Sequence, residues 1–213
     1  MELYFAPLAC SLATRIALHE AGAPARFHQV DTRTKRLADG SDFLAVNPMG
    51  QVPVLRTDDG ELLTENPVVL QYVADRYPNS GLAPQMGMPR YRLQQWLNFV
   101  TSELHKVVFI PLLDPRSGDG AKQFARDKAA HRFVYLNAQL AGRTYLFDRF
   151  TVADAYLVTV LNWAAFSGID LEPFAAVSTY FTSLRERESV ARALTEELAL
   201  YKEQQARRAL SPL

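Results

Sequence analysis

The stretch Asn47-Pro48-Met49-Gly50-Gln51-Val52-Pro53-Val54-Leu55, answered downstream by Leu63-Thr64-Glu65-Asn66-Pro67, decides how the chain is read. Pro48 and Gly50 mark a turn, and Pro53 opens a short apolar run that reads as a strand. If Val52-Pro53 is trans, it is an ordinary strand start. If it is cis, the chain turns sharply and leaves the N–H and C=O of Val52 free to pair with an extended peptide. In the second piece, Asn66 and Pro67 read as an N-cap and first helical position, with the helix passing Val68, Val69, Tyr72 and Val73 and stopping before Pro78. Its free N–H groups suit a carboxylate, and Glu65 suits an ammonium. Together they would hold an amino-acid zwitterion; a solvated glutamate before a plain capped helix fits the residues as well.

Outward from this stretch, Leu3 to Phe5 reads as a first strand and the segment from Cys10 or Ser11 to Ala21 as a helix stopped by Gly22. Ala25 to Val30 alternates as a second strand, parallel to the first. A polar connection holding Lys35 and Arg36 leads to a short helical piece around Ser41 to Val46. Asp58-Asp59-Gly60 signals a hairpin between Val54–Arg56 and Glu61–Thr64. The order βαβ, helix, ββ, helix is thioredoxin-like, an α/β domain over residues 1–77.

Residues 78–88 are rich in turn formers and read as a linker. Beyond it, 89–213 reads as all-helical. Leu93, Trp96, Leu97, Val100, Leu104 and Val107 recur at helical spacing from Pro89 to about Val108. A further helix carries Phe124, Phe133, Leu136 and Leu140. Thr151 and Asp154 form an aspartate version of the capping box, opening a helix apolar nearly all round that belongs in the centre of a bundle. Two more helices are expected near Ala175–Arg187 and Ser189–Arg207, and the last residues are expected to fray.

The 213 residues carry 23 basic and 23 acidic side chains, a balance that argues against nucleic acid or an acidic membrane surface as partner. A single cysteine excludes an intrachain disulfide and a cysteine metal cluster, and the four histidines lack ligand spacing, so no metal is implied. No apolar run approaches the ~20 residues of a membrane span, and the start lacks a signal-peptide pattern. The expectation is a cytoplasmic protein.

Two sets of residues suit chemistry. Cys10 stands where the first helix begins, and a thiol there is stabilised as thiolate by free N–H groups. Position 13, where a thioredoxin motif would need a second cysteine, is alanine, so redox chemistry would take its second thiol from a ligand. A lone buried cysteine is the alternative. Asn98, Ser102 and His105 share one face of the long helix, as a polar stripe or simply a solvated face.

The run from Asn47 to Leu55 with Leu63 to Pro67 resembles the glutathione-binding half of cytosolic glutathione transferases, and Leu-Ala-Cys-Ser-Leu around Cys10 and Glu103-Leu104-His105-Lys106 resemble the bacterial beta class. The Thr151-x-x-Asp154 signature is similar to the one opening that family's central helix. The resemblance covers essentially the whole chain. It implies a cis Val52-Pro53, Val52 pairing with the cysteinyl part of glutathione, Gln51 beside it, and Glu65 with Asn66 gripping the γ-glutamyl end. It implies Cys10, Ser11 and His105 near the sulfur, and Asn98 and Glu103 acting on glutathione bound to the partner subunit. Lys35 and Lys106 would face the glycine carboxylate.

Phe5 departs from the pattern, since beta-class relatives commonly carry tyrosine there. The implied protein is a homodimeric detoxification enzyme. It would use glutathione as cosubstrate against hydrophobic electrophiles, with Phe109, Ile110, Leu112, Leu113, Tyr156 and Trp163 offering apolar pocket surface. A thiol transferase acting through Cys10 and a noncatalytic binding protein of the same fold are the alternatives.

Overall fold

The computed structural model describes residues 1–210; the expected fraying of the last residues falls outside them. The chain divides into two units. One comprises Met1–Tyr77 together with the segment from Glu188 onward, and the other Pro78–Arg187.

In the first unit, strand β1 (Glu2–Phe5), helix α1 (Leu12–Glu20) and strand β2 (Arg26–Asp31) make the expected parallel crossover, with Leu3 opposite Phe27 and Phe5 opposite Gln29. Strands β3 (Arg36–Leu37), β4 (Val54–Arg56) and β5 (Leu62–Leu63) follow, and helix α2 (Asn66–Arg76) closes the series. The sheet order is β3-β2-β1-β4-β5, and every pairing except β1 with β2 is antiparallel. This mixed sheet with helices is the thioredoxin-like arrangement. Strand β3 lies in what the sequence presents as a polar connection, because two residues are too few to show an alternation. Side chains of β1 divide between the two faces, as pleating requires. Tyr4 packs with Val30, Phe43 and Val54, while Phe5 meets Phe27 edge-on at 6.2 Å.

Helix α9 (Glu188–Leu210) departs from the domain limits read from the sequence, which assigned everything past residue 88 to the helical domain. It packs on α1 of the first unit. Arg15 and His19 of α1 meet Glu196 and Glu197, Ser189 donates to Glu20 at 2.6 Å, and Arg208 donates to Asp31 at 2.7 Å. An amphipathic period shows that a helix has a buried face, not which neighbour covers it.

In the second unit, α3 (Gly87–Asn98) runs on into a π-helical stretch (Phe99–Phe109), then α4 (Ile110–Leu113), α5 (Asp119–Leu140), α6 (Val152–Leu161), α7 (Ala164–Ser167) and α8 (Ala175–Arg185). The helix expected from Pro89 to Val108 is thus one rod with two registers. Ile110 donates its N–H to the carbonyl of His105, five residues back. At the changeover, the hydroxyls of Thr101 and Ser102 donate to the carbonyls of Leu97 and Asn98 at 2.8 and 2.9 Å. Such back-bonding competes with the helical N–H groups for those carbonyls.

Helix α6 is central as expected, with all ten residues buried. Asp154 caps it. Its carboxylate accepts the Thr151 N–H and hydroxyl at 2.8 Å each, the Leu146 N–H at 2.8 Å and the Tyr180 hydroxyl at 2.7 Å. Burial raises the pKa of Asp154 above the usual carboxylate range, and the four donors oppose that rise.

Candidate functional site

The Val52–Pro53 bond is cis, and Gly50 precedes it at φ +62°. A Cβ at Gly50 would lie 3.1 Å from Leu44 Cδ2 and from Lys35 Cδ and Cε, so glycine suits both the backbone and the close approach of these side chains. The Lys35 stem crosses this glycine and its Nζ donates to the Gly50 carbonyl at 2.8 Å. The ammonium's other N–H groups remain for an anion. Asn47 donates from Nδ2 to the Gln51 carbonyl at 2.8 Å, bracing the same turn, and the Gln51 side chain is exposed.

Glu65, not Asn66, is the N-cap of α2. The Glu65 carbonyl accepts the first helical bonds, from Val68 and Val69, and its backbone is left-handed at φ +63°. A glutamate pays strain to stand there, which aims its exposed carboxylate from the turn. The expected N-cap role of Asn66 is corrected. Its amide donates to the Cys10 carbonyl at 2.9 Å and its Oδ1 accepts the Thr14 hydroxyl at 3.2 Å. Asn66 is buried and ties the start of α2 to the turn before α1.

Cys10 stands in that turn, and its Sγ donates to the Val52 carbonyl at 3.2 Å. A half-buried thiol therefore touches the backbone edge on which an extended peptide would pair. Ser11 is turned elsewhere. It is fully buried and exchanges hydrogen bonds with the N–H and carbonyl of Ala6, each at 3.2 Å, so its hydroxyl braces the turn. Phe5 is buried beneath the Arg15 guanidinium, 4.3 Å from its ring centre.

In the second unit, the expected polar stripe does not form. Asn98 and Ser102 are exposed, but His105 is buried, because five-residue turns rotate it out of the α-helical face. His105 Nδ1 and the Tyr156 hydroxyl share a hydrogen bond at 2.7 Å, and the Trp163 ring stands 4.9 Å away. Burial, with a smaller effect of Lys106, lowers the histidine pKa to about 4. Burial thus disfavours the imidazolium at this position. Glu103 is paired with Arg132, whose Nε and Nη2 donate to one oxygen at 3.0 and 2.6 Å. Lys106 is exposed.

Of the expected pocket residues, Phe109, Tyr156 and Trp163 are buried, and Ile110, Leu112 and Leu113 keep some exposure. This unit also holds a cleft of about 980 Å³ between the Pro78–Gln85 segment, Trp96, Tyr135 and the loop at Leu146–Arg149, which contains none of the candidate residues. Among the described residues, no cluster of His, Cys, Asp or Glu could hold a metal, and no helix is long and apolar enough to cross a membrane.

Residues 9–76 match the family described as glutathione S-transferase, N-terminal domain, and residues 100–188 the one described as glutathione S-transferase, C-terminal domain. Glutathione S-transferase GstA of Escherichia coli O157:H7 is 41% identical over 199 residues, covering 92% of this chain and 98% of that protein. A sphingomonad glutathione S-transferase solved in complex with glutathione superimposes with a TM-score of 0.88 at 44% identity, over 92% of this chain and 98% of that one. The bacterial beta-class enzyme of Sphingomonas chungbukensis gives 0.88 at 42% identity over the same shares. With both halves matched and the cis turn, the Glu65 cap and Cys10 assembled in the first unit, the chain belongs to the glutathione S-transferase family, with its solved likeness in the bacterial beta class.

Proposed function

We propose that the chain binds glutathione on the first unit and conjugates it, through its thiolate sulfur, to hydrophobic electrophiles. The observation that carries this reading is the Gly50–Pro53 turn, braced by Lys35, with Cys10 Sγ on the Val52 carbonyl. The peptide's backbone would pair with Val52, putting its thiol beside Cys10. Glu65 would take the γ-glutamyl ammonium and the N-terminus of α2 the adjacent carboxylate. Lys35 would meet the glycine carboxylate. Held in place, the thiolate needs only an electrophile within reach to add to it or displace a leaving group.

Asn98 and Glu103 are assigned to glutathione on a partner subunit in a homodimer, with Glu103 already fixed by Arg132, and Lys106 is assigned with Lys35 to the glycine carboxylate. Exposed Tyr91 on α3 and Phe124 and Val134 on α5 supply apolar surface for that second copy to cover. Sedimentation at micromolar concentration should give a dimer; a monomer would remove the partner-subunit roles. A cytoplasmic, detoxifying role fits this chemistry.

Calorimetric titration with S-hexylglutathione tests the site. Wild type should bind, and Glu65→Ala should bind at least about tenfold more weakly, the scale of losing a charged hydrogen-bond partner. No binding by folded wild type would sink the transferase reading.

The partial exposure of the free Cys10 thiol, in the turn before α1, supports a second activity once that thiol gives up its proton. The Cys10 thiolate would attack a glutathione disulfide, forming a protein–glutathione mixed disulfide and releasing glutathione thiolate. Cys10→Ala should abolish disulfide reduction. Retained conjugation in that variant would make the cysteine's role a redox one alone.

A further inference from the structure

Glu197 stands far along the chain from every candidate in the first unit, yet it is bonded to the turn that carries one of them. Its Oε2 accepts the Leu8 N–H at 2.7 Å and its Oε1 accepts Arg15 Nε at 2.9 Å. The side chain is wholly buried, and burial, opposed by Arg15, pushes its pKa up to about 7. Placing a carboxylate there is costly unless its oxygens are paired, and both are. Arg15 in turn is fixed between the rings of Phe5 and Phe27, at 4.3 and 4.0 Å, and donates from Nη1 to Glu196 at 3.0 Å.

The Leu8 turn is where this anchoring acts. Leu8 holds φ +60°, a conformation that a leucine keeps only when its surroundings impose it. Two residues on, Cys10 reaches Val52. A line of direct bonds therefore runs from α9 through Leu8 to the thiol.

We propose that Glu197 is a positioning residue of the candidate glutathione site. Its carboxylate, oriented by Arg15, holds the Leu8 turn and so sets where the Cys10 thiol stands against the Val52 backbone. The ligand's identity rests on the glutathione reading above; the placement of the thiol does not. A carboxylate is needed because both oxygens accept. An amide has one acceptor oxygen, so its NH₂ must face either the Leu8 N–H or the Arg15 guanidinium.

Three measurements test this: hydrogen exchange of the Leu8 amide in wild type, the rate of Cys10 alkylation by iodoacetamide, and KM for glutathione. Wild type should protect the Leu8 amide as strongly as the middle of α1; rapid exchange would overturn the proposal whether or not any variant folds. Glu197→Gln should alkylate at least about fivefold faster and raise KM about tenfold, the scale of one unsatisfied buried donor. The double variant Arg15→Met with Glu197→Gln should recover both site readouts while its melting temperature stays low, because the amide oxygen is then free to serve Leu8. Folded Glu197→Gln with unchanged alkylation, or a double variant that fails to recover it, would overturn the proposal. Should wild type not bind glutathione, alkylation and exchange still decide the point, and only the ligand assignment falls.

Discussion

Acidification should unfold this protein in part through His105. Its pKa falls from 6.5 to about 4, chiefly because burial penalises the imidazolium and secondarily because Lys106 adds a like charge. The folded value lies below the unfolded one. The unfolded chain thus takes up a proton near pH 6.5, while the folded protein resists until about pH 4. The stability this histidine contributes is complete above pH 6.5, drains away between 6.5 and 4, and stays lost below. A difference of about 2.5 pKa units at 1.36 kcal/mol each gives about 3 kcal/mol, a large share of a typical folding free energy.

Urea unfolding of wild type and His105→Gln at pH 7, 5.5 and 4 isolates this contribution, since all other titrations are common to both. Wild type should lose about 3 kcal/mol more than the variant between pH 7 and 4. Parallel pH dependences would show that the imidazole is hydrated or already charged when folded, refuting the burial argument. The same reasoning requires that no inflection between pH 6 and 8 in a conjugation profile belong to His105.

Asn66→Ala removes the donor to the Cys10 carbonyl and the acceptor of the Thr14 hydroxyl; it should cost about 1–3 kcal/mol in urea unfolding and speed alkylation of Cys10. An unchanged alkylation rate would separate Asn66 from the cysteine turn. Asp154→Ala leaves four buried donors unpaired around the start of α6 and should cost about 3–5 kcal/mol, read as a lowered urea midpoint. A loss below 1 kcal/mol would mean water reaches the capping site.

Much of this was legible in the residues because local chemistry has few solutions. Pro53 after a turn, Gly50 at a left-handed position and Thr151 three residues before Asp154 announce themselves, and each stands where its chemistry requires. The order of elements over residues 1–77, β3 apart, followed from apolar alternation, helical spacing and turn residues. The π register was not legible. It changes which face His105 occupies without changing a residue, and the hydroxyls of Thr101 and Ser102 at its start also occur in ordinary α-helices.

The hydrogen-bond partners of Ser11 and Asn66 were open for a related reason, since each lies in or beside a turn, one position from Cys10 and Glu65. At a turn, the direction of a side chain follows from backbone angles that the sequence leaves open. By itself, the sequence determined the thioredoxin-like unit, the buried α6 and the turn before Pro53, because turn chemistry, capping and period are properties of neighbouring residues; the cis state of Val52–Pro53 was implied by the family resemblance, not by the residues alone. The tertiary structure alone decided that α9 returns to α1, that Glu197 accepts from the turn before Cys10, and that His105 is buried. Burial and long-range hydrogen bonding depend on which surfaces meet, and no local pattern encodes that.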